Sequence, residues 1–219
     1  MNREWLAPLT GVAFIVVLFA GFIVAGEPPQ ADDPVQEIVD HYVDDDDAIM
    51  FGALLQTIAA GFLVFFAAYL RKVFRAAEGE GGVLSAVVLI GATVVAVGAS
   101  IDATISFALA EAADDIDPSG VQSLQALWDN DFMPLALGTG LFLLASGIST
   151  VRHGALPKWL GWIAILLGIV AFTPIGFASA AAAAVWILIV SVLLALRARP
   201  TTPTAAAPPP PPTAPPPAP

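Results

Sequence analysis

The chain has 219 residues, of which 58% are hydrophobic and 12% charged, with a mean hydropathy of +0.82. A soluble domain carries roughly 25% charged residues, so a water-soluble enzyme is all but excluded. The absence of cysteine removes disulfide frameworks, thiolate metal sites and cysteine nucleophiles, and a net charge of −11 argues against nucleic acid, whose phosphates require clustered Lys and Arg.

Six apolar stretches follow one another along the chain, at 5–25, 49–70, 83–106, 132–151, 159–175 and 177–196. About 20 helical residues cross a hydrocarbon core of about 30 Å. Backbone groups in lipid must be satisfied within a helix or a closed barrel, and these runs are too long and unbroken for barrel strands. The last two form a single uncharged run, and Thr173-Pro174-Ile175-Gly176 near its midpoint supplies turn chemistry. The expected fold is therefore all-α: a polytopic bundle of six transmembrane helices over 1–199, then a proline-rich tail at 200–219. Val24-Ala25-Gly26 after the first run resembles a signal-peptidase site. That run is about 20 residues, against 7–15 for a usual signal h-region, so an uncleaved first span is expected. Cleavage would leave five spans in the same orientation.

Between the spans, the loops 26–48 and 111–131 are acidic and partly helical in pattern. Asp33-Pro34-Val35-Gln36 reads as a capping box with Asp33 as N-cap, and Val35, Ile38, Val39 and Tyr42 recur at helical spacing. After Pro118-Ser119-Gly120, the residues Val121, Leu124, Leu127 and Trp128 do the same. Such faces suit a headgroup layer or a lid, and simple packing on the helix ends is the favoured account.

Charge sorting sets the orientation. With six spans, Arg3, Arg71, Lys72, Arg75, Arg152, Lys158, Arg197 and Arg199 all fall on one side, and the two opposite loops contain no Lys or Arg. Fifteen of the nineteen carboxylates lie in those opposite loops. Cytoplasmic loops retain Lys and Arg, so both termini are expected in the cytoplasm. Trp5, Tyr69, Trp159 and Trp162 suit the inner boundary, Tyr42 and Trp128 the outer one, while Trp186 falls mid-span.

Asp102 is the only ionisable residue within a span, and an intramembrane carboxylate is a functional hypothesis by default. Val83–Ile101 alone nearly suffices to cross, which puts Asp102 near the outer interface. Gln56, Ser100 and Thr104 are its candidate polar partners for coordinating a cation or relaying a proton. Asp44–Asp47 lacks the alternating ligands and turn glycine of a calcium loop. These residues, like Asp129 and Asp131, precede a span, where carboxylates favour the helix dipole. No metal site is expected. Small-residue rows at Ala53/Thr57/Gly61, Ala92/Ala96/Ser100/Thr104 and Gly161/Ala164/Gly168/Ala171, with Ala180–Ala184, are candidate helix contacts within the protein, with itself or with other membrane proteins.

Catalytic motifs do not occur: there is no His-Glu-x-x-His and no phosphate-binding loop. His41 and His153 fall on opposite sides, and one intramembrane Asp cannot make a dyad. Neither an enzyme nor a cofactor is expected. The tail holds 11 of 19 prolines and no charge, favouring extended polyproline II. Arg197-Ala-Arg-Pro200-Thr-Thr-Pro203 fits a proline-rich ligand for a cytoplasmic partner, but the stronger account is that the two arginines flank the last span and the prolines form a stiff spacer.

The segment Arg152-His-Gly-Ala-Leu-Pro-Lys-Trp-Leu-Gly161 resembles the cytoplasmic turn and helix start of a family of bacterial six-span membrane proteins of unknown function. Gly154 turns the chain, Pro157 suits a first helical turn, and Lys158 with Trp159 anchors it. The resemblance implies architecture and a bacterial cytoplasmic membrane, with no activity to carry over. The functional expectation is a noncatalytic scaffold, accessory or interaction component, the alternative being a small cation- or proton-coupled transporter or channel using Asp102.

Overall fold

A computed structural model describes residues 4–198. Arg3, the side chain of Trp5, Arg199 and the tail 200–219 lie outside the described residues. Within them the chain is helical, with no strand. A 3-10 turn, Glu4–Leu9, contains Pro8 and leads into α1 (Thr10–Ala25). Then come α2 (Val35–Asp44), α3 (Asp46–Glu78), α4 (Val83–Ala112) and α5 (Pro118–Trp128). The described residues end in α6 (Met133–His153), α7 (Lys158–Val170) and α8 (Gly176–Arg197).

Five helical stretches are long and apolar enough to cross a membrane, as in a multi-pass membrane protein: Leu6–Ala25, Asp46–Glu78, Val83–Ala112, Pro118–His153 and Gly176–Arg197. The fifth sequence span departs from expectation. Its helix, α7, has 13 residues, about 20 Å at 1.5 Å per residue, well short of a 30 Å core. The reason is local. Proline disfavours helical backbone at the residue before it, so Thr173-Pro174 stops the helix. The preceding turn tightens, with Phe172 N–H donating to Ile169 O (3.2 Å) and Thr173 N–H to Val170 O (2.9 Å). At the other end, α3 and α4 overrun their predicted bounds, with 33 and 30 residues.

Close backbone approach sets the order of the bundle. A Cβ added at Gly52 would stand 2.8 Å from Gly21 O, joining α1 to α3. At Gly91 it would stand 2.5 Å from Phe142 N, and at Gly138 2.5 Å from Val95 N, joining α4 to α6. At Gly147 it would stand 2.6 Å from Gly161 O, joining α6 to α7. Contacts this close leave no room for any side chain, and small residues let membrane-type helices gain van der Waals contact. The paired positions run in opposite directions along each pair of helices, so these neighbours are antiparallel.

The predicted rows are only partly these contacts. Gly161, Ala164, Gly168 and Ala171 are buried as a set. Of the second-span row only Ala53 is buried: Thr57 is exposed and Gly61 faces open space. The row from Ala92 drifts outward to an exposed Thr104, and within Ala180–Ala184 only Ala183 is buried.

The last helix closes the bundle through side-chain bonds to main-chain carbonyls. Ser179 Oγ donates to Leu167 O (2.6 Å), Trp186 Nε1 to Leu160 O (3.0 Å) and Ser191 Oγ to Pro8 O. Arg197 Nη1 donates to Ala155 O (3.1 Å). Phe142 meets Trp186 edge-on, ring centroids 5.9 Å apart, inside a core shared with Phe66, Leu70, Phe74, Val88 and Leu143. The bond to Ala155 brings the end of α8 to the same end of the bundle as the α6–α7 turn.

A second, smaller core lies at the opposite end. Ile38 and Tyr42 of α2 and Val121 of α5 pack on Ile49 of α3 and Leu109 of α4, with Ala110 and Ala113. The two loop helices cover the ends of α3 and α4 and each other. Of their predicted faces, Leu127 is instead exposed and Trp128 half-buried. The capping box does not form either. Pro34 holds the N-cap position without a side-chain bond, and the Asp33 carboxylate turns back to accept Gln30 N–H (2.7 Å).

Candidate functional site

The candidate site is the junction where the bundle meets the acidic cap. Gly98 of α4 packs against Pro134 and Leu135, in the first turn of α6. Asp102 follows one turn later, so it is level with the start of α6, where the cap begins. It is half-buried. The structure does not gather its four sequence-picked residues. Successive helical residues turn by about 100°, which puts Ser100 and Thr104 on nearly one face and Asp102 on nearly the opposite one.

The hydroxyls are turned to their own helix: Ser100 Oγ donates to Ala96 O (2.8 Å) and Thr104 Oγ1 to Ser100 O (2.7 Å). Gln56 packs its Cγ against Gly21 at the α1–α3 contact. Tyr42 and Asp131 lie within electrostatic reach of Asp102.

Beside this carboxylate lies a buried hydrogen-bonded network that the sequence patterns did not pick out. Tyr42 Oη donates to Gln125 Oε1 (2.7 Å), and Gln125 is fully buried. Gln125 Nε2 donates to Pro29 O (2.8 Å) and to Asp129 Oδ1 (2.9 Å). Asp129 Oδ2 accepts Ala31 N–H (2.8 Å), while Gln122 Nε2 donates to Ala31 O (3.1 Å). Asp129 was expected to serve the dipole of the next span; instead it ties the 29–31 segment to α5. Burial, then the nearby Asp129 and Asp102 carboxylates, push the Tyr42 phenol far above its ordinary value. The protonated phenol is the form the network needs, since it is the donor. One signal for the network was present: Gln125 sits one turn from Val121 on the apolar face of α5, where a polar side chain needs a partner.

Two buried polar atoms at the same junction have no hydrogen-bond partner, Asp131 Oδ2 and Trp128 Nε1. Asp46 and Asp47 do occupy the first turn of α3, and His41 Nδ1 stands 3.9 Å from Asp45 Oδ2. Among the described residues no group of three or more His, Asp or Glu is placed to hold a metal ion.

The opposite, basic end is also built around one carboxylate. Glu78 Oε1 accepts Ser149 Oγ (2.6 Å) and Oε2 accepts Ser85 N–H (3.1 Å), so Glu78 caps α4 and ties it to α6. Ser146 Oγ and Thr150 Oγ1 are buried nearby on α6 without a partner. Of the predicted anchors, Arg71, Lys72 and Arg75 line one surface groove, and Arg152, Lys158 and Trp159 are exposed at the α6–α7 turn. Comparison of the chain with protein-family models, curated proteins and solved structures gives no match.

Proposed function

We propose that the chain is a six-pass protein of a bacterial cytoplasmic membrane, both termini inside, working as a noncatalytic scaffold or accessory component. The fifth and sixth crossings are the two arms of the compact α7–α8 hairpin, α7 being the short arm. Charge sorting supports this orientation: with six spans along the sequence, every Lys and Arg falls on one side and the two acidic loops on the other. The Arg197–Ala155 bond, which sets the end of α8 beside a basic turn, agrees with an even number of crossings.

The observation that carries the noncatalytic reading is the filling of the bundle between Asp102 and the basic end. Phe66, Val88, Ala92, Phe142, Leu143 and Trp186 occupy it, and the hydroxyls of Ser100, Thr104 and Ser106 bond their own helix. A scaffold must hold partners, and the exposed helix faces, together with the proline-rich sequence 200–219, are the candidates for holding them. The test is purification from native membranes of the full chain and of a chain ending at 199. A partner recovered in fixed stoichiometry with one or both supports the role. Recovery of the protein alone in both cases contradicts it.

A second reading has one specific observation behind it, the half-buried Asp102 within reach of Asp131 and Tyr42. An intramembrane carboxylate with such neighbours suits proton or cation coupling. Reconstituted vesicles carrying a pH-sensitive dye decide it: proton flux that is lost in Asp102→Asn favours transport, and flux equal to protein-free vesicles removes it.

A further inference from the structure

We infer that the basic end of α3 holds the phosphate headgroup of an anionic phospholipid, with its acyl chain laid along the same face of the helix. This rests on the membrane reading above. Ala68, Arg71, Lys72, Arg75, Ala76 and Gly79 line one surface groove. At 100° per residue these positions fall within about 140° of one another, so they form a single helical face. Ala68, Ala76 and Gly79 give it a low floor, and the three cations give it positive walls.

Three cations and one carboxylate, Glu80, line the groove. Glu78 has one oxygen on Ser149 and the other on Ser85 N–H. Arg71 Nε is buried without a hydrogen-bond partner. A buried donor of this kind calls for an acceptor, and guanidinium forks match phosphate oxygens.

The apolar half of the ligand is read from the same face one turn and more toward the bundle centre. Leu54, Ile58 and Phe65 are 53%, 45% and 69% exposed, and Gly61 between them has open space where a Cβ would be. Together they make an exposed apolar strip with a furrow, ending at the cationic groove. A ligand with a long apolar chain and an anionic head fits both parts, whereas a free phosphate fits only the second. Basic pockets at the cytoplasmic ends of membrane helices are known to take anionic headgroups.

The test is native mass spectrometry of the detergent-solubilised protein titrated with dioleoylphosphatidylglycerol or dioleoylphosphatidylcholine. The expected result is preferential retention of phosphatidylglycerol. Arg71→Gln with Arg75→Gln should weaken it roughly tenfold or more, while Arg71→Lys with Arg75→Lys, which keeps the charge and loses the guanidinium forks, should fall between that variant and the unchanged protein. Arg152→Gln, an exposed cation at the same end, should change retention by less than about twofold.

Equal retention of the two lipids, or an Arg152→Gln loss as large as that of the double Gln variant, overturns the site. Millimolar inorganic phosphate that displaces the lipid as effectively as glycerophosphoglycerol, or more so, assigns the groove to a soluble anion and overturns the lipid. Size-exclusion chromatography without detergent separates the two levels of failure. A monodisperse protein there sinks the membrane reading, and a detergent-requiring protein without lipid preference sinks this inference alone.

Discussion

Gln125 uses all three of its principal amide contacts inside the cap: one accepted from Tyr42, and two donated to Pro29 O and Asp129. A buried polar group left unpaired costs about 1–3 kcal/mol, so Tyr42→Phe should destabilise the cap by about that amount, and Gln125→Leu by at least as much. Hydrogen exchange of α2 and α5 measures it, and both variants should leave the protection of α6 unchanged. Equal loss across the whole bundle would contradict a separate cap. The raised phenol value gives a pH dependence of known sign. In the folded state Tyr42 keeps its proton above pH 10, where an unfolded tyrosine loses it. Cap stability is therefore intact below about pH 10 and falls as pH rises beyond it. Tyr42→Phe should abolish this alkaline sensitivity, and its persistence in that variant would assign it elsewhere. None of the pairing was legible in the sequence, because Tyr42 and Gln125 are 83 residues apart. Periodicity placed Tyr42 on an apolar face, did not single out Gln125, and said nothing of which face met which.

Among the elements, stops were easier to read than contacts. Gly154, with φ 75°, ends α6 where the sequence places a turn, since positive φ favours glycine. Thr173-Pro174 likewise marks the α7–α8 turn, but hydropathy hid the shortness of α7: Ala171 and Phe172 are as apolar as the helix before them. The capping box failed for a comparable reason. The Asp33 carboxylate had a second donor within reach, Gln30 N–H, and the pattern could not rank the two. Small-residue rows were the weakest guide, because spacing alone does not say which side of a helix faces a neighbour. Gly138 does face one, with Val95 N at 2.5 Å from a Cβ placed there. Gly138→Ala should force α4 and α6 apart and destabilise the bundle by about 1–3 kcal/mol, read as a lower thermal midpoint in detergent. Gly61→Ala, on the open face, should leave that midpoint unchanged or raise it, since alanine favours helix over glycine. Equal loss from both would contradict the assigned contacts.

At the scale of the whole molecule, two polar ends flank an apolar middle, and the account depends on those ends lying on opposite sides of a membrane. The acidic end carries its own small core and a satisfied network. The basic end carries the anchors and, by the inference above, a lipid. This division was legible in the sequence because charge sorting is a property of composition along the chain and needs no knowledge of packing. The chain has no cysteine, so single cysteines are readily tested. Asp45→Cys and Ser123→Cys occupy exposed positions in the acidic cap, and Glu80→Cys and His153→Cys exposed positions at the basic end. A membrane-impermeant maleimide applied to intact bacterial cells should label positions 45 and 123 at once, and positions 80 and 153 only after permeabilisation. Labelling of position 80 or 153 in intact cells, at the rate seen for 45, would contradict it.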